Sequence, residues 1–116
     1  PDVYAAADLK VITSDYESFC FAALEAMATA LPLVVTDTDW VPKLIGHSEG
    51  GVVVGKNDVH ALASAMMELI GSPEVRSKMG QRNRSFVVER YGWRSAAGAL
   101  LALYERLKAL GSCRER

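Results

Sequence analysis

Short apolar runs alternate with polar breaks along the first half of the chain, and apolar positions at helical spacing take over in the second half. An alanine-rich opening, Asp2 to Asp8, reads as a short helix that Asp2 can cap. Leu9-Lys10-Val11-Ile12-Thr13 has the β-branched content of a short buried strand. Ser14, Asp15 and Tyr16 then break the pattern, and helix formers dominate from about Phe19 to Ala30. Pro32 stops that helix, and Leu33-Val34-Val35-Thr36 reads as a second buried strand. Two apolar runs joined by a helix predict a βαβ crossover with parallel neighbours in one sheet. Asp37 to Trp40 reads as a polar loop, Val41 to Ile45 as one helical turn, and Val52-Val53-Val54 as a third strand between Gly51 and Gly55.

Beyond Gly55 the period changes. Asn57 or Asp58 can cap a helix that carries Val59, Leu62, Ala63, Met66, Leu69 and Ile70 on one face. Ser72 with Pro73 opens the next helix, where the missing proline N–H costs nothing. Val75, Met79, Phe86 and Val87 form its apolar side, and Arg76, Lys78, Arg82 and Arg84 its solvated side. Gly92 reads as a left-handed stop. A last helix carries Trp93, Ala97, Leu100, Tyr104 and Leu107 at helical spacing, with Trp93 and Tyr104 expected in the core.

The predicted order is strand, helix, strand, loop, strand, then three helices: an α/β, partial Rossmann-like, three-layer domain with about three parallel strands. Residues 1–116 make a single partial domain, long enough for one core and too short for two. So few strands, and no initiator methionine before Pro1, lead us to expect a segment of a longer protein whose N-terminal part completes the sheet. An open sheet edge predicts self-association as a hazard of the isolated chain.

Charge narrows the choice of partner. Thirteen Lys and Arg nearly balance 14 Asp and Glu, for a net charge of -1, which gives no broad attraction to nucleic acid. There is no apolar run of membrane-spanning length and no secretory signal pattern. Cys20 and Cys113 lack metal-ligand spacing and read as two reduced thiols, which suits a cytoplasmic protein.

The most informative chemistry is a pair of carboxylates, Glu17 and Glu25, which bracket the predicted turn from first strand to helix. In α/β proteins that turn holds nucleotide phosphates and ribose, at the carboxyl ends of the strands. Glu17 falls in the loop and Glu25 about two turns into the helix, so both can face one ligand in the crevice. Taken alone, Glu17 is a solvated loop residue and Glu25 an exposed helix residue making an i,i+4 contact.

The residues around that pair make an ordered series: Tyr4-Ala5-Ala6-Ala7-Asp8, Ser14 through Phe19, Leu24-Glu25-Ala26-Met27-Ala28, Leu31 through Thr36, Val41-Pro42, Gly51 through Val54, Ala61-Leu62-Ala63, then Tyr91 and Trp93. The series resembles the second half of the C-terminal, donor-binding domain of retaining GT-B "group 1" glycosyltransferases. The resemblance implies a nucleotide-diphosphate sugar as donor, an acceptor of unread chemistry, and no cofactor or metal. It assigns Glu25 to the ribose hydroxyls, where two acceptor oxygens meet two donors. It assigns Glu17 a catalytic, electrostatic role beside the donor sugar. Backbone N–H groups around Phe19, Cys20 and Phe21 would meet the diphosphate or sugar at the positive helix end. It further implies a cytoplasmic parent, or one peripheral to the inner face of a membrane. The basic residues that pair with the pyrophosphate lie earlier in the family's domain, so this chain alone is expected to be inactive.

Six positions depart from the family pattern. Ser18 and Cys20 stand where it reads glycine in Glu-Gly-Phe-Gly, and glycine there permits positive φ and close approach of a ligand. Ala30 replaces glycine before the Leu-Pro step, and Asp39-Trp40-Val41-Pro42-Lys43 replaces Gly-Gly-x-Pro-Glu. Trp40 is bulky where the pattern is lean. Lys43 reverses a charge, which suits either an extra anionic group on the donor or plain solvent. Ser18, Cys20, Trp40 and Lys43 motivate an alternative: a degenerate, non-catalytic GT-B module kept for partner contact. A flavodoxin-like receiver stands last, because the acidic cluster and glycine fingerprint of such domains are missing.

Overall fold

A computed structural model describes residues 2–111. The elements are α1 (Asp2–Ala5), β1 (Lys10–Ile12), α2 (Phe21–Ala28), β2 (Leu33–Thr36), α3 (Val41–Ser48), β3 (Gly51–Val54), α4 (Val59–Gly71), α5 (Pro73–Tyr91) and α6 (Trp93–Gly111). The three strands form one parallel sheet in the order β1-β2-β3. Val11 lies opposite Val34, and Val34 opposite Val52. β1 and β3 are therefore both edge strands of the described sheet.

Strand alternation divides the core into two layers, because successive side chains point to opposite faces. Leu33 and Val35 face one side and pack with Ala23, Leu24 and Met27 of α2, Val41, Leu44 and Ile45 of α3, and Val87 of α5. Val34 faces the other side and packs with Val54 and with Ala65 and Leu69 of α4. The result is the expected three-layer α/β arrangement.

Local chemistry explains most boundaries, and several differ from the sequence reading. α2 begins at Phe21 and ends at Ala28, not over Phe19 to Ala30, because Cys20 (φ 45°) and Ala30 (φ 62°) both adopt the left-handed conformation that a helix excludes. α1 is a single turn with Asp2 inside it instead of capping it. β1 is shorter than Leu9 to Thr13, and β3 gains Gly51. The single turn expected from Val41 grows to eight residues, with Pro42 in its first turn. Asp58 caps α4 by accepting the Ala61 N–H at 2.9 Å. Ser72 occupies the N-cap of α5 without a side-chain cap bond.

Gly92 is extended (φ -67°, ψ 145°) instead of left-handed, so α5 and α6 are separated by a bend of extended backbone. On α4 the buried residues are Ala65 and Leu69, while Val59, Ala63 and Ile70 are exposed. On α5, Val75 is exposed and the buried residues are Gly80, Asn83 and Val87. Two arginines of its expected solvated face act on neighbouring helix ends. Arg76 donates to the Leu69 and Ile70 carbonyls at 2.6 and 2.7 Å, and Arg84 to the Ala28 carbonyl at 2.7 Å. The Ile70 and Ala28 carbonyls are ones a helix terminus leaves unpaired, whereas the Leu69 carbonyl also accepts the Ser72 N–H.

The largest departure is α6. Trp93 is 91% exposed and Tyr104 57%, so neither is a core residue. α6 packs on α5, and every residue from Trp93 to Leu110 is exposed, including Leu100, Leu101, Leu103 and Leu107. Its apolar spacing predicts a buried face, and the structure does not bear this out, because no described element covers that face. Cys20 is a free thiol, and Cys113 lies outside the described residues.

Candidate functional site

The loop from Ser14 to Cys20 leaves the carboxyl end of β1 and delivers the chain to α2. Two side-chain bonds hold its first half. The Thr36 hydroxyl donates to the Ser14 carbonyl at 2.5 Å, and the Ser14 hydroxyl donates to Glu17 Oε1 at 2.8 Å. Glu17 is half-buried, and its carboxylate also faces the Cys20 thiol.

At Cys20 the backbone turns left-handed, and its carbonyl accepts the Ala23 N–H at 3.0 Å. Among the described residues no backbone or side-chain acceptor meets the N–H groups of Phe21 and Ala22. These first-turn donors carry the positive end of the helix dipole. Phe19, expected inside the helix, instead precedes it, and its ring lies edge-on to Phe21 at 5.0 Å between centroids.

Glu25 projects from the exposed side of α2, one turn after Phe21. It lines a recess of about 270 Å³ with Tyr4, Ala28 and Thr29. Glu17 lies outside that recess, so the two acids do not share one cavity; residues between them connect their environments. Partial burial, then the Glu25 carboxylate and the Cys20 sulfur, raise the Tyr4 phenol above its usual value. Burial likewise pushes the Cys20 thiol up; the Ala23 amide draws it back, Glu17 raises it, and Lys10 lowers it. The Lys10 ammonium also sits 5.6 Å from the centre of the Tyr4 ring. The sequence therefore continues on the surface as a strip: Glu17, Cys20, Tyr4 and Glu25, with one cation beside it.

Tyr4 and Lys10 were not singled out as site residues from the sequence. A lone cation in the apolar run of β1 was the available signal for Lys10. Tyr4 opens the family series but looked like a helix residue of no special role. Further recesses lie elsewhere. One of about 200 Å³ at the carboxyl ends of the strands is lined by Asp15, Tyr16, Asp37, Thr38, Asp39 and Lys56. Another, of about 500 Å³, opens between α3 and α5 around His47, Arg82 and Phe86, away from both carboxylates. Among the described residues no group of three His, Cys, Asp or Glu side chains could hold a metal ion, and no helix is long and apolar enough to cross a membrane.

Parallel strands, helices on both faces and an acid-flanked strand-to-helix turn define the class: a Rossmann-like α/β domain. The comparison with known proteins narrows this. Residues 1–86 match the family model for glycosyl transferases group 1, and the chain belongs to that family. It is 35% identical over 114 residues to a D-inositol 3-phosphate glycosyltransferase of Corynebacterium jeikeium, covering 98% of this chain and 27% of the relative. It is 33% identical over 103 residues to an MMP alpha-(1->4)-mannosyltransferase of Mycolicibacterium hassiacum, covering 88% of this chain and 25% of the relative. Among solved structures, sucrose-phosphate synthase from Thermosynechococcus elongatus superposes with a TM-score of 0.84 at 30% identity, over 93% of this chain and 27% of that one. The chain thus spans about a quarter of the length of the proteins it matches.

Proposed function

We propose that this chain forms the donor-binding crevice of a glycosyltransferase that moves a sugar from a nucleotide-diphosphate sugar to an acceptor with retained anomeric configuration. One observation carries the reading: the unpaired first-turn amides of α2 lie between two carboxylates whose environments join through Cys20 and Tyr4. Glu25 accepts the ribose hydroxyls, because both carboxylate oxygens are acceptors facing two donors. The Phe21 and Ala22 amides meet the diphosphate as charge develops on it, and their fixed dipoles need no rearrangement. Glu17, with one oxygen held by Ser14, turns the other toward the sugar hydroxyls and acts by charge and placement.

The rest of the parent protein supplies the second wall. Coverage of only a quarter of the relatives supports this, as do the free edge of β1 and the uncovered apolar side of α6. In the isolated chain the same edge is a route to self-association. Reduced thiols and an activated-sugar donor suit a cytoplasmic parent, at rest or against the inner face of a membrane.

The deciding experiment is calorimetry on the full-length parent with UDP-, GDP- and ADP-sugars, comparing the unmutated protein with Glu25→Gln. Loss of one charged acceptor to a diol weakens binding by about 10- to 100-fold. Unchanged donor binding and activity in Glu25→Gln sinks the reading and leaves the non-catalytic module in its place.

A further inference from the structure

We infer that Trp40 is a positioning residue that clamps the 17–20 loop through Phe19, a role that rests on the donor-site reading above. The starting point is how little else holds this loop. Among the described residues, no backbone–backbone hydrogen bond involves residues 15 to 19. The loop is tied at one end by Ser14 to Glu17 and at the other by the Cys20 carbonyl. Between those ties, side-chain packing sets its path.

Tyr16 is 75% exposed and contributes little to that packing. Phe19 contributes most. Its ring meets Trp40 at 4.5 Å between centroids with a tilt of 37°, and Phe21 edge-on at 5.0 Å. Trp40 is in turn fixed from two directions. Its carbonyl accepts the Leu44 N–H at 3.1 Å and opens α3, and its ring lies edge-on to Tyr91 at 6.3 Å, at the end of α5. The loop is thereby pinned to α3 and α5, elements that belong to the packed core. Offset and edge-on ring pairs at these distances are attractive beyond their buried area.

Its consequence is unequal for the two acids. Glu17 lies two residues from Phe19 on the clamped loop, whereas Glu25 sits on α2, whose placement depends on Ala23, Leu24 and Met27 in the core. Loosening Trp40 should therefore displace the sugar contact and spare the ribose contact.

The test uses the full-length protein and two variants, Trp40→Ala and Trp40→Phe. Peptide-resolved iodoacetamide labelling reads access to Cys20, and amide exchange of residues 33 to 36 reads the core. The clamp predicts labelling about tenfold faster in Trp40→Ala, near-normal labelling in Trp40→Phe, and unchanged core exchange. Unchanged labelling overturns it, and so does faster labelling matched by faster core exchange, which signals general loosening. Calorimetry with UDP-glucose and GDP-mannose against UDP and GDP then tests positioning. Trp40→Ala should weaken the sugar nucleotide about tenfold and leave the matching diphosphate within about twofold. An equal loss for both overturns the positioning role. If the unmutated protein binds none of the four and no ADP-sugar either, the donor reading fails and takes that role with it, while the labelling result still decides whether the clamp exists.

Discussion

The Asn83 amide donates to the Gly50 carbonyl at 2.7 Å, and a Cβ on Gly50 would stand 1.7 Å from Asn83 Oδ1. Asn83 is fully buried on α5, and it also donates to the Leu31 carbonyl at 2.8 Å and accepts the Ser48 hydroxyl at 2.7 Å. One side chain thus ties α5 to the entrances of β2 and β3 and to the end of α3. Every buried polar atom in the set has a partner, as a low-dielectric interior requires. Asn83→Ala strands the Leu31 carbonyl, while the Gly50 carbonyl keeps the Leu33 N–H and the Ser48 hydroxyl keeps the Ile45 carbonyl; it should cost about 2 kcal/mol, read as a lower urea midpoint at unchanged m-value. Gly50→Ala should destabilise comparably by displacing the same amide.

Gly80 and Ala30 make a second close approach. A Cβ on Gly80 would stand 1.9 Å from the Ala30 carbonyl oxygen, so Gly80→Ala should force α5 off the end of α2 and cost about 2 kcal/mol or more. Ala30 itself is left-handed at φ 62°. Ala30→Gly should therefore stabilise the fold by about 1 kcal/mol, seen as a rise in the urea midpoint.

Cys20 is left-handed at φ 45° at the mouth of α2. Cys20→Gly should relieve about 1 kcal/mol of strain, partly offset by glycine's larger unfolded-state entropy and by lost thiol packing. On the proposed donor-site reading the same change opens the approach to the Phe21 and Ala22 amides. Donor affinity should rise while stability changes by less than about 1 kcal/mol, measured by calorimetry and urea titration together. Weaker donor binding in Cys20→Gly counts against a ligand passing at this turn.

Alkaline pH provides an independent check on the strip of residues at the site. The folded-state pKa values of Cys20 and Tyr4 are raised above the ordinary 9.0 and 10.0. The folded state thus holds these protons more tightly than the unfolded state, so the stabilisation is complete below about pH 9 and is lost as pH rises through the folded values. Urea unfolding should show stability falling above pH 9, with a shallower fall in Tyr4→Phe and in Cys20→Ser. An equally steep fall in both variants would show that other groups govern it.

Much of the fold was legible because its signals are local. Pro32 before Leu33-Val34-Val35-Thr36, and Ser72-Pro73 before a helix, act within a few residues of themselves, and the observed boundaries follow them. The glycine pattern was legible too: both departures that flank α2, Cys20 and Ala30, turn out to be left-handed. The start of α2 was not, because helix propensity at Phe19 carries no information about a positive φ at the next residue. α6 shows the limit from the other side, since apolar spacing specifies a face to be covered but not what covers it.

Sequence alone determined the α/β order, the parallel sheet, the family series and the two acids on either side of a strand-to-helix turn. These depend on periodicity, turn chemistry and residue type, all of which are short-range. Tertiary structure decided that Tyr4 and Lys10 join those acids, that Asn83 is a buried tether, and that Trp40 stacks on Phe19. Each of these requires segments far apart in the chain to meet, and their meeting is set by the packing of α2, α3 and α5 on one face of the sheet. No local pattern encodes that distance.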